Sequence, residues 1–368
     1  MTFDPAKPHN TLPDLPPTHD VETKKTLRAC IGARAALASL KEAGSLIPNQ
    51  SVLINTIPIR EAQASSEIEN IITTANELFA HAAARDRLTA PATKEAYRYH
   101  LALYEGFLSL AKKPLSTATA TAVCSKIKNA DMSIRATTGT QLKNDLTGEV
   151  IYTPPVGQDF LKEKMSNWEQ FVHDHSDIDP LIRMAIAHYQ FEAIHPFADG
   201  NGRTGRVLNI LFLVKEELLT LPVLYLSRHI VRNKQAYYVG LQNITQNEDW
   251  ETFILYMLEA IEETAIWTTK KIKAICALID ETDRHIQNHL PSIHSRELVD
   301  AIFNTPYSTI TNLVECNVAK RATASKYLNA LEDIEVMWMF KRGHTKIFAH
   351  RKYIELLISD ENSFEPYE

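Results

Sequence analysis

The chain has 368 residues, 45% of them hydrophobic and 23% charged, with a net charge of −6. That length predicts two or three compact units with a sizeable buried core, and the acidic balance excludes a polybasic nucleic-acid coat while leaving room for a local basic patch. The four cysteines, Cys30, Cys124, Cys276 and Cys316, form no CxxC pair, which argues against a disulfide framework or structural zinc and fits a reducing cytoplasm.

Residues 1–20 are proline-rich and carry no apolar core, so they predict an extended arm and not a signal peptide. No run of about 18 apolar residues predicts a membrane span. From 22 to 41, Leu27, Cys30, Ile31, Leu37 and Leu40 recur at helical spacing, and Gly44 follows as a stop. Helical patterns recur after Pro58, through EAQASSEIENI, and at 91–111 and 116–130. The stretch 133–155 changes period. Its β-branched residues flank DLTGE, which predicts a β-hairpin ending at Pro154 and Pro155. Helix returns at 158–173. Asp179 then reads as an N-cap with Pro180 at the first helical position, opening a helix that halts near Pro196. A further helix starts near Arg203, and others cover 228–243 and 248–283. After a break at 289–295, three short helices and a hairpin around the RGH turn have the order of a winged helix-turn-helix.

The densest chemistry lies in HPFADGNGRTGR, residues 195–206. It contains a GxGxxG, but a dinucleotide fold needs a strand before it, and here a helix precedes. Asp199 and Asn201 begin like a calcium loop, yet Arg203, Thr204 and Ile210 stand where that loop wants an acceptor, a glycine and a glutamate. Glu192 and His195 form half of a di-iron motif with no second copy, and His188 and His195 miss the spacing of a zinc helix. A polyphosphate cradle survives. Gly200, Asn201 and Gly202 let the backbone approach an anion, and the next helix presents its free amides and positive dipole end. Arg203 and Arg206 stand three apart on its first turn, each able to grip a phosphate. Asp199 makes sense as a holder of Mg²⁺ between phosphates, and His195 just before the loop can take a proton from an attacking group.

The stretch resembles the Fic family motif HxFx(D/E)GNGRxxR, with every specified position present. The resemblance extends to the proline-rich arm, SSEIEN, the hairpin, and LYLSRHI…AYYVGLQ. It implies a mainly α fold: a Fic helical bundle with a β-hairpin flap and a small C-terminal winged helix-turn-helix domain. The expected division is an N-terminal helical region at 1–110, a catalytic core at 111–288 and the winged helix at 289–368. The implied activity is transfer of AMP from ATP to a Ser, Thr or Tyr hydroxyl of a protein. His195 would be the base and Asp199 the Mg²⁺ ligand. The ATP-binding set would be Gly200, Asn201, Gly202, Arg203, Thr204, Gly205 and Arg206, with Arg203 meeting the β-phosphate and Arg206 the γ-phosphate. Phe197 would anchor the loop. A related branch that transfers phosphate has lysine where Gly202 stands, so the glycine favours nucleotidyl transfer.

Three further assignments rest on the same resemblance, each beside a plainer alternative. Thr147, Gly148, Glu149, Val150, Ile151, Tyr152 and Thr153 would form a flap that pairs with the target chain, or a hairpin that merely covers the core. Tyr237 and Tyr238 would line an adenine pocket, or be core aromatics. Ser65, Glu69 and Asn70 match the family's inhibitory pattern (S/T)xxxE(G/N), in which Glu69 would hold Arg206 away from the γ-phosphate. Alternatively Ser66 and Glu69 form a capping box. In some relatives this glutamate also helps remove AMP, and relatives often dimerise. The resemblance therefore adds de-AMPylation, self-AMPylation and a homodimer to the expectations. In the C-terminal unit, Lys320, Arg321, Lys326, Lys341, Arg342 and Lys346 belong to nine Lys/Arg against six Asp/Glu over 292–352. This supports a second reading: a DNA-binding regulator whose Fic domain senses a nucleotide.

Overall fold

The computed structural model describes residues 3–84, 89–143, 147–342 and 345–367. Six helices come first: α1 (Lys24–Ser45), α2 (Ser51–Ile54), α3 (Ile57–Ile68), α4 (Ala75–Ala84), α5 (Pro91–Leu110) and α6 (Thr117–Lys128). A two-stranded flap, β1 (Leu142–Lys143) and β2 (Val150–Tyr152), leads to α7 (Gln158–Asp174), α8 (Pro180–Ile194), α9 (Asn201–Lys215), α10 (Ser227–Arg232), α11 (Lys234–Asn247) and α12 (Trp250–His289). The C-terminal unit contains α13 (Arg296–Asn304), β3 (Tyr307–Ser308), α14 (Ile310–Glu315), α15 (Arg321–Asp333), β4 (Trp338–Arg342), β5 (Thr345–Ala349) and α16 (Arg351–Ile358). Its three strands are antiparallel in the order β3-β5-β4.

The bundle is built around α8 and α9. A helix apolar on every side must lie at the centre of its domain. Accordingly, α8 buries nearly its whole length, including Leu181, Ile182, Met184, Ile186 and Phe191. Around this pair pack α5, α6 and α7, and α3 closes the side next to α5 and α10. The expected caps form: Asp179 accepts from the Leu181 amide at 2.8 Å with Pro180 at the first helical position. Helix α12, 40 residues long, is a spine of about 60 Å at 1.5 Å per residue. It packs along α1 and carries on to the C-terminal unit.

Several elements depart from the sequence reading. Among the described residues the flap is much shorter than 133–155 and pairs at Leu142 with Tyr152 and Lys143 with Val150. Arg135 explains the loss, because its amide donates to Pro196 O at 2.9 Å instead of entering a ladder. Helices α4 and α16 were not expected. The segment expected as one helix at 228–243 breaks at Asn233 into α10 and α11. The proline-rich arm is docked rather than loose. Leu12 and Leu15 are buried, Asn167 clasps both backbone groups of Leu15, and Gln190 donates to Pro13 O at 2.8 Å. The arm also reaches the flap, where the His9 amide donates to Thr153 O at 3.0 Å. In the C-terminal unit the three-helix-plus-hairpin order holds, with β3 and α16 added. The hairpin turn at 343–344 and the side chain of Arg342 lie outside the described residues.

Lys271 of α12 fastens that unit. Its ammonium is fully buried and donates to Leu356 O, Ser359 O and Glu361 O at 2.6–2.9 Å. It satisfies carbonyls at the end of α16 and lies over the Trp267 ring. Asp360 meets Arg228 and Arg232 of α10, and Trp267 donates to Asp360 O. On the other side Asn55 donates to Asn304, and Tyr307 to Asn76.

Candidate active site

Residues 195–206 form the bend between α8 and α9. His195 ends α8 in the left-handed region, φ 50°, with its amide on Phe191 O. Arg135 holds the outgoing chain by donating to His195 O at 2.8 Å and to Pro155 O at 2.6 Å. Inside the bend, Asn201 clasps Phe197: its Oδ1 accepts from the Phe197 amide and its Nδ2 donates to Phe197 O, both at 2.8 Å. The Asn201 side chain therefore shapes the loop while the residue itself lines the cleft. Phe197 is fully buried against Phe191, as a loop anchor should be. Gly200 takes φ 82°, where a side chain is disfavoured, and α9 begins at the next residue with no side chain capping its first amides.

A cleft of about 500 Å³ opens here. It is lined by Glu69, Glu95, Lys128, Thr140, Gln141, Leu142, His195 and 198–203. The structure thus brings together His195, Asp199, Gly200, Asn201, Gly202, Arg203 and Glu69. It places others elsewhere. Thr204 is fully buried, and Gly205 packs on α8, where the Glu192 carboxylate stands at the position of a Cβ. Tyr237 is 2% exposed and packs in the core, its hydroxyl and His188 Nε2 hydrogen-bonded at 2.7 Å. Tyr238 is 39% exposed and packs edge-on against Tyr237. The cleft's flap residues come from β1 and the chain before it, while 147–153 are absent from its lining. Tyr152 instead donates to Ala193 O at 2.8 Å and bears on the end of α8.

Electrostatics set the state of each group. Burial holds His195 down at about 4, with Arg135 acting the same way, so the imidazole is neutral at ordinary pH. A backbone hydrogen bond at Glu192 acts the other way without overcoming burial, and His195 borders the cleft. Asp199 is 61% exposed, and Lys128 lies 2.5 Å from its Oδ2. Partial burial pushes the Asp199 carboxyl up, but Lys128 and then Arg203 outweigh it and hold it below its usual range. Arg203 is 3% exposed and paired with Glu95 of α5 at 2.7 Å. Glu95, Lys128 and Arg135 carry no local motif, and the sequence reading missed all three.

The end of α3 grips Arg206. Ser65 Oγ accepts from Arg206 Nε at 2.8 Å, and Ser65 O and Glu69 Oε1 accept from Nη2 at 2.9 and 2.8 Å. The Glu69 amide turns to Ser66 O, which leaves the Ser65 carbonyl free for this bond. A cation at a helix C-terminus also meets the negative end of the dipole. Burial raises the Glu69 carboxyl, yet the Arg206 charge overcomes it and holds it low, and the same pairing holds Arg206 protonated. Asn70 follows in the left-handed conformation, φ 58°, suited to a helix end. The capping-box alternative fails, since Ser66 is inside α3 and Glu69 ends that helix. Gly202 has its own reason: Glu69 Oε1 occupies the position a Cβ would take.

For a metal, the donor set is one half-exposed carboxylate. Among the described residues no cluster of three or more His, Cys, Asp or Glu could cage an ion. That suits Mg²⁺, which keeps most of its waters and is carried by phosphates, held through Asp199. Among the described residues no helix is long and apolar enough to cross a membrane.

Comparison with known proteins agrees with this geometry. The model described as "Fic/DOC family N-terminal" matches residues 27–108, "Fic/DOC family" matches 117–213, and "Protein adenylyltransferase SoFic-like, C-terminal domain" matches 278–353. The protein adenylyltransferase fic-1 of Caenorhabditis elegans is 33% identical over 110 residues, 29% of this chain and 20% of that protein. The protein adenylyltransferase Fic of Drosophila virilis is 25% identical over 158 residues, 39% of this chain and 31% of that protein. The matches thus span only a fifth to a third of these relatives' length. A Fic family protein from Desulfovibrio desulfuricans G20 shares the fold, with a TM-score of 0.58 and 21% identity over 91% of this chain and 98% of that one. With its N-terminal, central and C-terminal regions each matched in this way, the chain carries Fic/DOC family domains and a SoFic-like C-terminal domain.

Proposed function

We propose that this chain is a protein adenylyltransferase that transfers AMP from ATP to a side-chain hydroxyl of a protein, restrained by Glu69. One observation carries the reading: a neutral His195, Asp199 and the first residues of α9 line one cleft. The printed names of the relatives, protein adenylyltransferases, support it.

The chemistry follows from the residues. A target hydroxyl beside His195 Nε2 gives up its proton to that nitrogen as its oxygen attacks the α-phosphorus. The bond between the α-phosphorus and its bridging oxygen breaks, and pyrophosphate leaves. The amides opening α9 and the Arg203 guanidinium neutralise charge on the phosphates, the main requirement of such transfers. Bound Mg²⁺, held at Asp199, would neutralise phosphate charge further. The cleft-lining chain at 140–142 and β1 would position the target, with 147–153 behind it as an added-strand support. Arg206 would meet the γ-phosphate only after leaving Glu69 and Ser65. That is the basis for restraint and for a low resting rate. The test is incubation with labelled ATP and Mg²⁺, followed by intact-mass analysis. Glu69→Gly should gain AMP on itself or on a target, and His195→Ala should gain none. Equal labelling of wild type and Glu69→Gly would remove the restraint, and labelling of His195→Ala would remove the base.

The C-terminal unit favours an added role. Lys320 at the start of α15, Arg321 and Lys326 on it, and Lys341 and Lys346 on the hairpin are exposed charged residues, in the places a winged helix uses for DNA phosphates. A gel shift that weakens steeply with salt would support it.

A further inference from the structure

Helix α6 touches the motif at three points. Cys124 Sγ donates to Asp199 O at 3.3 Å, and one turn on, the ammonium of Lys128 lies 2.5 Å from Asp199 Oδ2. The stem of Lys128 runs under the bend, its Cγ and Cδ 3.3 Å from where a Cβ on Gly200 would stand. The Lys128 side chain is 22% exposed, much less than the carboxylate it holds, and a second acceptor, Glu95 Oε1, lies 3.2 Å away. Glu95 in turn holds Arg203, whose Nη2 is 3.9 Å from Asp199. Asp199 and Glu95 are therefore paired with Lys128 and Arg203 beside the bend.

An exposed ion pair contributes little by itself. This one differs because the lysine stem is packed and its ammonium is aimed. Lys128 fills the space beside Asp199 that a divalent cation needs, and two cations on one carboxylate repel each other. We propose that Lys128 is the resident counter-ion of Asp199, occupying the cation position of the nucleotide site so that a divalent metal binds there only by displacing the ammonium onto Glu95. The proposal rests on the reading of Asp199 as the metal ligand. It makes Lys128 a positioning residue that holds the bend in shape before a nucleotide arrives and sets how much metal the site needs.

The experiment titrates Mn²⁺ into the full chain without nucleotide and reads free Mn²⁺ by electron paramagnetic resonance. Lys128→Met keeps the packed stem and removes the charge, and Lys128→Gln is the polar counterpart. Both should bind Mn²⁺ more tightly than wild type, by about tenfold, the equivalent of ~1.4 kcal/mol. The gain should vanish in the Lys128→Met, Asp199→Asn double variant. If both Lys128 variants bind Mn²⁺ no better than wild type while Asp199→Asn loses it, Lys128 only braces the loop and the proposal falls, with the metal reading intact. If neither wild type nor Lys128→Met binds Mn²⁺, even with a non-hydrolysable ATP analogue, the metal reading fails and takes the proposal with it.

Discussion

Burial acts in opposite ways on the two ends of the Glu69–Arg206 pair. Arg206 is 2% exposed and Glu69 35%, so the arginine cannot be left alone while the glutamate can find water. Charged hydrogen bonds of this kind contribute about 1.5–3 kcal/mol. We therefore expect Glu69→Gly to raise AMP transfer by roughly ten- to a hundredfold, measured as initial labelling rate. His195 makes a second prediction. With its imidazole held at about 4, the base is neutral throughout the ordinary range. In the Glu69→Gly background the rate should stay level from pH 8 to pH 6 and decline only as the pH falls towards that value. A half-maximum near pH 6.5 would show a base with an ordinary histidine environment. The residues of the bend were legible in the sequence because their types, spacing and glycines are local. Glu95 and Lys128 were not, because they reach the bend from 108 and 71 positions away along the chain, through packing alone.

Among the elements, the contact of α8 with α9 fixes the bend. Gly205 lets it close: a Cβ there would meet the Glu192 carboxylate and stand 3.2 Å from Phe191. Gly205→Ala should cost about 1–3 kcal/mol, read as a lower melting temperature, because an overfilled interface must shift. Ser65→Ala tests the end of α3. It removes the acceptor of Arg206 Nε and should raise the transfer rate less than Glu69→Gly does, since Ser65 O and Glu69 remain. Elements with strong caps and periodicity were readable in advance, α8 above all. The flap was not, because its length depends on where the Arg135 amide finds an acceptor. The break between α10 and α11 has no proline or glycine to mark it, and Tyr237 reads equally as core or pocket until α8 supplies His188.

The molecule as a whole should be sensitive to acid. Among the described residues burial lowers His9 and holds four histidines lower still: His100 and His195 at about 4, His188 and His350 at about 3, against 6.5 when unfolded. Between pH 6.5 and 4 the unfolded chain takes up protons that the fold refuses, so stability falls as pH falls. Glu192, raised to about 7, and Glu61, raised by burial, oppose this by holding protons in the folded state. Four groups outweigh two. The melting temperature at pH 5 should lie roughly 5 °C below that at pH 7, as calorimetry would record. The helical character was foreseeable from periodicity. The seam between that unit and the bundle was not, since it is made by carbonyls and by a lysine in the middle of α12.

That seam changes what the last residues are for. In sequence, DENSFEPYE carries four acids and no apolar periodicity. In the fold, two of its neighbourhood's carbonyls feed the sunken ammonium of Lys271, Asp360 reaches the arginines of α10, and Tyr367 stacks on His285. Cutting after Ile358 would strand a positive charge in an oily interior with one acceptor in place of three. What passes for a loose end is closer to a keystone.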